Sequence, residues 1–595
     1  MKKTGGQIVA RALEDEGITF TFGIPGTHNI ELYDALAASR TVRPVLVTDE
    51  QSASFMADGA WRASGRMACV NVVPGAGLTH ALSGIAEAFM DNVPMLVLGC
   101  GIRRDSGKAF QLHDVDQMAM VGPVVKATYR PERGEELYAT IREACAVARE
   151  GAPGPVFVEV PANLYLSRHD VAPPARDAPD GSGSHEAPAG TDRVAARAPV
   201  QGPAEALLER AASMVRASER PLLYIGAGAL GARDEIIGLA EDLEAPVSTT
   251  FQGKGVFPED HPLFLWPGFG QAAPRFVRDV VEDRDLTLAI GCRFSEVGTG
   301  SYGLEPRGRL IHVDIDPDVL GRNFQADAAV VSDAAVFVRA LKGCLGDLSR
   351  EPDAALRDRI RMGHARIWEE WLAEVGGAGV TPAHLLRSLQ RIMGPDTVFT
   401  TDSGNGTFLA MECLRLESPR SFLAPVDYSC MGYAVPSAIG AKLQAPERPV
   451  VALAGDGAFL MTGLECLTAG REGLGVTVLV LRDHELAQIA QFQATAMNRK
   501  VASALPPYDL EPLARALGVA FLSMPDDDAV EDALVEADRL TGEGRPVLVD
   551  AAIDYSRKTY FTKGVIRTTL NRLPVREQAR FVGRALLRRV MEPRA

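Results

Sequence analysis

The sequence predicts an α/β protein made of three doubly wound parallel-sheet domains. Three observations carry this expectation. Short apolar runs of strand length alternate with helical patterns along most of the chain, as parallel strands joined by crossover helices require. The chain has 595 residues, more than a single hydrophobic core organises. Its composition, 46% hydrophobic and 23% charged, allows a normal core in each of several domains.

The elements follow in order. A mixed helix over 8–16 precedes strands expected at 44–47, 68–73, 95–98 and 156–160, which make a first domain of residues 1–167. Residues 168–203 are rich in Pro, Ala, Gly, Asp and Ser, lack apolar periodicity and read as a flexible linker. Strands at 222–225, 287–290 and 310–315 define a central domain, 204–348. A charged linker helix with Trp368 and Trp371 occupies 349–380. Strands at 398–401, 450–454, 476–481 and 546–550 build a C-terminal domain, 381–560. Residues 561–595 form a basic amphipathic tail, with Arg580, Arg584, Arg588 and Arg589 around Phe581, Leu586 and Leu587. It reads as either a solvated helix or a cap over the active site.

The bulk properties exclude some partners. A net charge of −15 leaves no broad basic face for nucleic acid. The eight cysteines stand at 69, 100, 145, 292, 344, 413, 430 and 466; without metal-site or redox spacing they read as reduced thiols. The N-terminus lacks the apolar stretch of a signal peptide, and the longest apolar runs are too short to span a bilayer. A cytoplasmic protein with no membrane partner is expected.

The most informative segment is Val450-Val451-Ala452-Leu453-Ala454-Gly455-Asp456-Gly457-Ala458-Phe459. A buried strand ends at Gly455, and the two glycines let backbone N–H groups approach a phosphate at the start of the next helix. Asp456 stands where a metal bridging that phosphate needs a hard oxygen ligand. The following strand ends at Arg482-Asp483, so both carboxylates should emerge at the C-terminal edge of one parallel sheet, where such sheets bind ligands.

Gly-Asp-Gly, then a helix and a strand, then an Asn-Asn pair is the signature of thiamine-diphosphate enzymes, and this segment resembles it. The chain looks like the acetolactate synthase branch of that family, over nearly its whole length. The resemblance implies thiamine diphosphate and Mg²⁺ as cofactors, and pyrimidine-binding, central and diphosphate-binding domains in that order. Asp456 and Asp483 would supply metal-ligand oxygens, with the backbone carbonyl of Glu485 a third. Gly404, Asn405, Gly455, Gly457 and Ala458 are expected at the cofactor. Two departures stand out: Asn-Asn is Arg482-Asp483 here, and the usual Ser after Gly-Asp-Gly is Ala458.

The cofactor must lose a proton from a weak carbon acid, which it does when a carboxylic acid holds its aminopyrimidine in the imino form. The segment around Asp49-Glu50-Gln51 resembles the family's stretch at that acid, which makes Glu50 the activating residue; Asp49 stands where His is common. Without the resemblance Glu50 is a first-turn acid favoured by the helix dipole. Asp427-Tyr428-Ser429-Cys430-Met431-Gly432-Tyr433 resembles the stretch gripping the aminopyrimidine. There Met431 would bend the cofactor, and the Ser429 carbonyl and Met431 N–H would bond its ring. The family pairs Glu50 with the Gly-Asp-Gly motif of another subunit, so a homodimer is the smallest expected unit and a homotetramer is equally open.

In the substrate pocket, Gly75-Ala76-Gly77-Leu78-Thr79-His80 matches a Gly-Pro-Gly-Ala-Thr-Asn loop, and Ala109-Phe110-Gln111 matches the synthases, placing Phe110 and Gln111 at the reacting carbon. His28 resembles a histidine of benzaldehyde lyase, in a position to pass protons to a substrate oxygen; a satisfied loop histidine is the alternative. His113 is a weaker candidate, and His80 and His484 read as structural. The synthases' Phe-Asp-Asp-Arg is Phe294-Ser295-Glu296-Val297 here, which removes the arginine that holds the acceptor carboxylate, and Phe492 replaces a tryptophan. Gly226-Ala227-Gly228-Ala229-Leu230-Gly231 follows a central strand; relatives hold FAD, ADP or nothing in that domain, so FAD is one of three expectations.

The function implied is a carboligase that decarboxylates a 2-oxo acid, with pyruvate the first choice, and adds the carbanion to an acceptor carbonyl. Two alternatives stay open: a lyase or ligase of 2-hydroxy ketones or 2-hydroxyacyl thioesters, and a non-catalytic regulatory paralogue.

Overall fold

The computed structural model describes residues 2–170, 192–193, 202–373 and 379–591. It contains three parallel sheets flanked by helices, as the alternating pattern predicts. By contacts the chain divides into two compact units.

In the first unit the strand order is Arg43–Leu46, Phe20–Gly23, Cys69–Val72, Met95–Gly101, Pro155–Pro161, Ala127–Tyr129, Asp192–Arg193, parallel except for the last pair. The inner strands are buried on both faces, which explains their unbroken Val, Leu and Cys runs. The order reverses between Phe20–Gly23 and Cys69–Val72, so the loops after these strands flank the crevice where α/β sheets take ligands. Two later segments, Val435–Glu447 and Thr462–Leu474, belong to this unit although they lie within the expected C-terminal domain.

The second unit holds two six-stranded sheets. One runs Phe264–Pro267, Val247–Thr249, Pro221–Ile225, Leu286–Ile290, Arg309–Asp314, Ala328–Val331. The other runs Phe422–Leu423, Val398–Thr401, Val450–Gly455, Thr477–Arg482, Val547–Ala552, Ala520–Met524. Every adjacent pair is parallel. In the second sheet the order reverses between Val398–Thr401 and Val450–Gly455, which places Gly404 and Gly455 at the two lips of one crevice.

One expectation needs correction. The segment read as a linker starts with a strand, Arg168–Asp170, which pairs antiparallel with Lys2–Thr4, and Asp192–Arg193 joins the first sheet; the rest of 171–201 lies outside the described residues. The 349–380 stretch is helical over Ala354–Leu372. The tail is two helices, Tyr560–Arg572 and Val575–Met591. The second packs on the helix Ala487–Met497, where Arg588 donates to the Met497 carbonyl at 3.0 Å. The Gly226–Gly231 turn is taken up by close packing: a Cβ on Gly226 would lie 2.0 Å from the Gly291 oxygen, and one on Gly228 3.0 Å from the Gly291 Cα. Among the described residues no helix is long and apolar enough to cross a membrane, and all eight cysteines are free thiols.

Candidate active site

In the second unit, a cavity of about 130 Å³ opens at the carboxyl ends of the strands Val398–Thr401, Val450–Gly455 and Thr477–Arg482. Its lining brings together Gly404, Asn405, Met431, Gly455–Ala458, Asp483 and Glu485, the residues expected at a phosphate and its metal. Gly404 caps the helix Asn405–Cys413 with φ of 144°, a conformation closed to residues with a β-carbon. A Cβ on Gly404 or Gly455 would meet nothing within 4 Å, so both positions leave the cavity open. Gly457 is different: a Cβ there would lie 2.5 Å from Leu486 Cδ2.

Asp456 is buried, its Oδ1 accepting the Gly457 N–H and its Oδ2 the His484 N–H, both at 2.8 Å. Burial raises its pKa against the pull of those N–H groups. Burial, and then the Asp456 charge, push Asp483 up to about 7. Two carboxylates in one cavity, both raised by burial and one of them raised further by the other's charge, fit a hard divalent cation, which removes that cost. The Glu485 side chain is held by Lys500 at 2.6 and 2.7 Å, which leaves its backbone carbonyl as the group to offer. Among the cavity's lining residues there is no Lys or Arg.

The gripping segment is shaped by Asp402, which the motifs did not single out. It ends the strand Val398–Thr401 and its Oδ1 accepts the N–H groups of Tyr433 at 2.6 Å and Ala434 at 3.0 Å. Burial pushes it up to about 7 in spite of these bonds. Ser429 has φ of 67°, and its hydroxyl meets that of Ser403 at 2.7 Å. Tyr555 also lines the cavity. The signal for Asp402 was present: an acid just past a strand's carboxyl end, the same argument that selected Asp456.

In the first unit, Glu50 begins the helix Glu50–Ser64, capped by Asp49, and is 7% exposed. Buried Glu465 fixes the approach to this helix, one oxygen accepting the Thr48 N–H at 2.8 Å, the Thr48 hydroxyl at 2.5 Å and the Asp49 N–H at 3.2 Å. Gly77 leaves room for the Glu50 carboxylate, since a Cβ there would lie 3.0 Å from Oε1. His80, expected to be structural, sits 3.6 Å from Glu50 and 3.4 Å from Asp49. His28 and His113 stack edge-on at 5.5 Å; burial first, then His113, lower the His28 pKa. Phe110 and Gln111 share this sheet edge but stand apart: Phe110 has φ of 58° and is fully exposed, and Gln111 donates to the Arg103 carbonyl at 2.9 Å.

Val297 stands where the resemblance leads one to expect an arginine, and the two arginines that could take its place are engaged elsewhere. Val297 packs against the hydrophobic core. Arg293 is paired with Asp427 at 2.6 Å and Arg482 with Asp550 at 2.6 and 2.9 Å.

Comparison with known proteins gives three family matches. Residues 3–120 match the thiamine pyrophosphate enzyme N-terminal TPP binding domain, 208–341 the thiamine pyrophosphate enzyme central domain, and 402–551 the C-terminal TPP binding domain. The chain is 31% identical over 564 residues to a probable acetolactate synthase large subunit of Methanocaldococcus jannaschii, covering 92% of each. It is 30% identical to the acetolactate synthase large subunit of Corynebacterium glutamicum, over 92% of this chain and 86% of that one. A probable 2-ketoarginine decarboxylase of Pseudomonas aeruginosa is 33% identical, over 89% of this chain and 90% of its own.

Proposed function

Because this chain belongs to the thiamine pyrophosphate enzymes, in their acetolactate synthase-like branch, we propose that it removes CO₂ from a 2-oxo acid, pyruvate being the first candidate, and joins the remaining carbon to an acceptor carbonyl. The observation that carries the reading is the cavity at the sheet's switch point, where Asp456, Asp483 and Glu485 converge beside Gly404 and Gly455. When bound there, thiamine diphosphate supplies the electron sink for decarboxylation.

The chain's own residues take the other roles. Asp456, Asp483 and the Glu485 carbonyl would hold Mg²⁺, and Gly404, Asn405, Gly457 and Ala458 would face the diphosphate. Met431 and the Ser429 carbonyl would hold the aminopyrimidine. Glu50 holds and returns a proton at the ring nitrogen. His28, whose pKa burial and His113 lower, moves protons at the substrate oxygen; Gln111 and Phe110, which stand apart from it, are given no role in the reaction. A homodimer, or a tetramer built from it, is the proposed active form, as the family resemblance implies by pairing the activating acid with the Gly-Asp-Gly motif of another subunit. Leu460, Met461, Leu464 and Leu467 are exposed along one segment, which supports a partner there. Eight reduced thiols support the cytoplasm. FAD is given no step, because close packing on Gly291 accounts for Gly226 and Gly228 without a dinucleotide.

A second reading, decarboxylation with a proton as the acceptor, is favoured by likeness to the 2-ketoarginine decarboxylase and by Val297 where the resemblance expects an arginine for the acceptor carboxylate. Mass-spectrometric product profiling with thiamine diphosphate, Mg²⁺ and a panel of 2-oxo acids and aldehydes separates the two. Carbon–carbon coupled products support the carboligase; aldehydes alone support the decarboxylase and overturn it.

A further inference from the structure

Behind the metal turn lies a set of contacts built on Arg482, the residue that departs from the family's Asn-Asn pair. Arg482 ends the strand Thr477–Arg482, and Asp550 lies on the neighbouring strand, where Arg482 pairs with Ala552 and Val480 with Asp550. The two side chains are therefore diagonal neighbours on one face. Nε donates to Asp550 Oδ1 at 2.6 Å and Nη2 to Oδ2 at 2.9 Å, a two-pronged fit that only a guanidinium makes. The remaining Nη1 meets His484 Nε2 at 2.7 Å. Arginine carries donors only, so Nε2 is the acceptor and the ring proton sits on Nδ1. The guanidinium, itself held by Asp550, thus holds the orientation of the His484 ring.

That fixation matters because His484 is strained. Its φ is 60°, the left-handed region that residues with a β-carbon avoid. Such a conformation persists only where the surroundings over-determine it, and here they do. The His484 N–H donates to Asp456 Oδ2 and its carbonyl accepts the Leu505 N–H, each at 2.8 Å, while Arg482 holds the ring. Asp483 and Glu485 flank this residue directly, and the Glu485 N–H donates to Asp483 Oδ1 at 3.2 Å.

We propose that Asp550, Arg482 and His484 are positioning residues that lock the Asp483–Glu485 turn against Asp456, so that cation affinity in this chain depends on three side chains that do not touch the cation. The inference rests on the metal-site reading above. Its test is isothermal titration of the full-length protein with Mg²⁺ at fixed thiamine diphosphate. Asp550→Asn and Arg482→Lys preserve size but break the fork. Each is expected to raise the Mg²⁺ needed for half-saturation by about 10–100-fold, the usual effect of losing a partner behind a metal ligand. Turnover should recover as Mg²⁺ is raised, which a general loss of structure would not allow. His484→Asn keeps an acceptor and tolerates positive φ, so it should retain more affinity than His484→Leu; this pair decides the question if the other variants do not fold. Unchanged half-saturation in Asp550→Asn and Arg482→Lys, or equal affinity in the two His484 variants, overturns the inference alone. A wild-type protein whose cofactor binding ignores Mg²⁺ overturns it together with the metal-site reading.

Discussion

Gly77→Ala tests the placement of Glu50 by a single methyl group. The added Cβ would sit 2.9 Å from Val73 Cγ2 and 3.0 Å from Glu50 Oε1, with Val72 Cβ at 3.4 Å. Carbon atoms in contact prefer about 3.5–4.0 Å, so the carboxylate or the helix Ala76–Met90 must move by roughly half an ångström. Val73 is β-branched and gives way poorly, which directs the displacement toward Glu50. Stability should change little: Ala gains about 1 kcal/mol over Gly in a helix, against about 1–3 kcal/mol for overpacking. Activity should change more, because a misplacement of about 1 Å can cost a catalytic group roughly 100-fold. A fall in kcat of about 10–100-fold is expected, or about 1.4–2.7 kcal/mol in the barrier, with cofactor affinity within threefold of wild type. Steady-state kinetics at saturating thiamine diphosphate, beside a cofactor titration, reads both quantities. Wild-type kcat in a folded Gly77→Ala protein would refute the argument that Glu50 acts from this position.

Asp456→Ala should abolish Mg²⁺-dependent cofactor binding, Asp483→Ala should weaken it, and Asp483→Asn should be mild; unchanged cofactor affinity in Asp456→Ala contradicts the metal assignment. Given equal pyruvate and an uncharged aldehyde, acetolactate should be the minor product, since Arg293 and Arg482 are both tied in ion pairs; acetolactate as nearly the sole product refutes this. His364 accepts a hydrogen bond from Arg415 at 2.7 Å, and burial, with Arg415 beside it, lowers its pKa to about 3. The folded state therefore resists a proton that the unfolded state accepts below about 6.5, so this residue costs stability as pH falls from there toward 3. His364→Gln should flatten the acid side of the stability curve by up to about 1.4 kcal/mol per pH unit; an unchanged slope in denaturant titrations at pH 4–7 contradicts it.

The long inner strands were legible because buried parallel strands are continuous apolar runs, and nearly all the expected ones agree with the structure to within one or two residues, whereas Val247–Thr249, Ala328–Val331 and Ala520–Met524 were not expected. Pairings between distant segments were not. Lys2–Thr4 is a strand only because Arg168–Asp170 lies against it, and no local pattern marks three residues whose partner is that far along the chain. The same holds for the grouping of Val435–Glu447 and Thr462–Leu474 with the first unit, since periodicity reports which face is buried and not what buries it. At the site, the glycines and acids of the Gly-Asp-Gly segment were legible as residue types. Glu465 was not, because a lone Glu within a short helical stretch reads as a solvated acid until the Thr48 and Asp49 N–H groups are seen to bond it. Arg482 could be read as a departure, but its engagement with Asp550, 68 positions away, needed the register of two strands.

The central claim is that this chain activates thiamine diphosphate through Glu50. Hydrogen–deuterium exchange at C2 of the thiazolium ring, followed by NMR on protein loaded with thiamine diphosphate and Mg²⁺ and quenched at intervals in D₂O, tests it most directly. The account predicts exchange on the wild-type protein far faster than on the free cofactor, and exchange slowed by at least about 100-fold in Glu50→Gln, consistent with the usual worth of a positioned acid–base group, while the cofactor stays bound. Equal exchange rates in wild type and Glu50→Gln, both with bound cofactor, would contradict it.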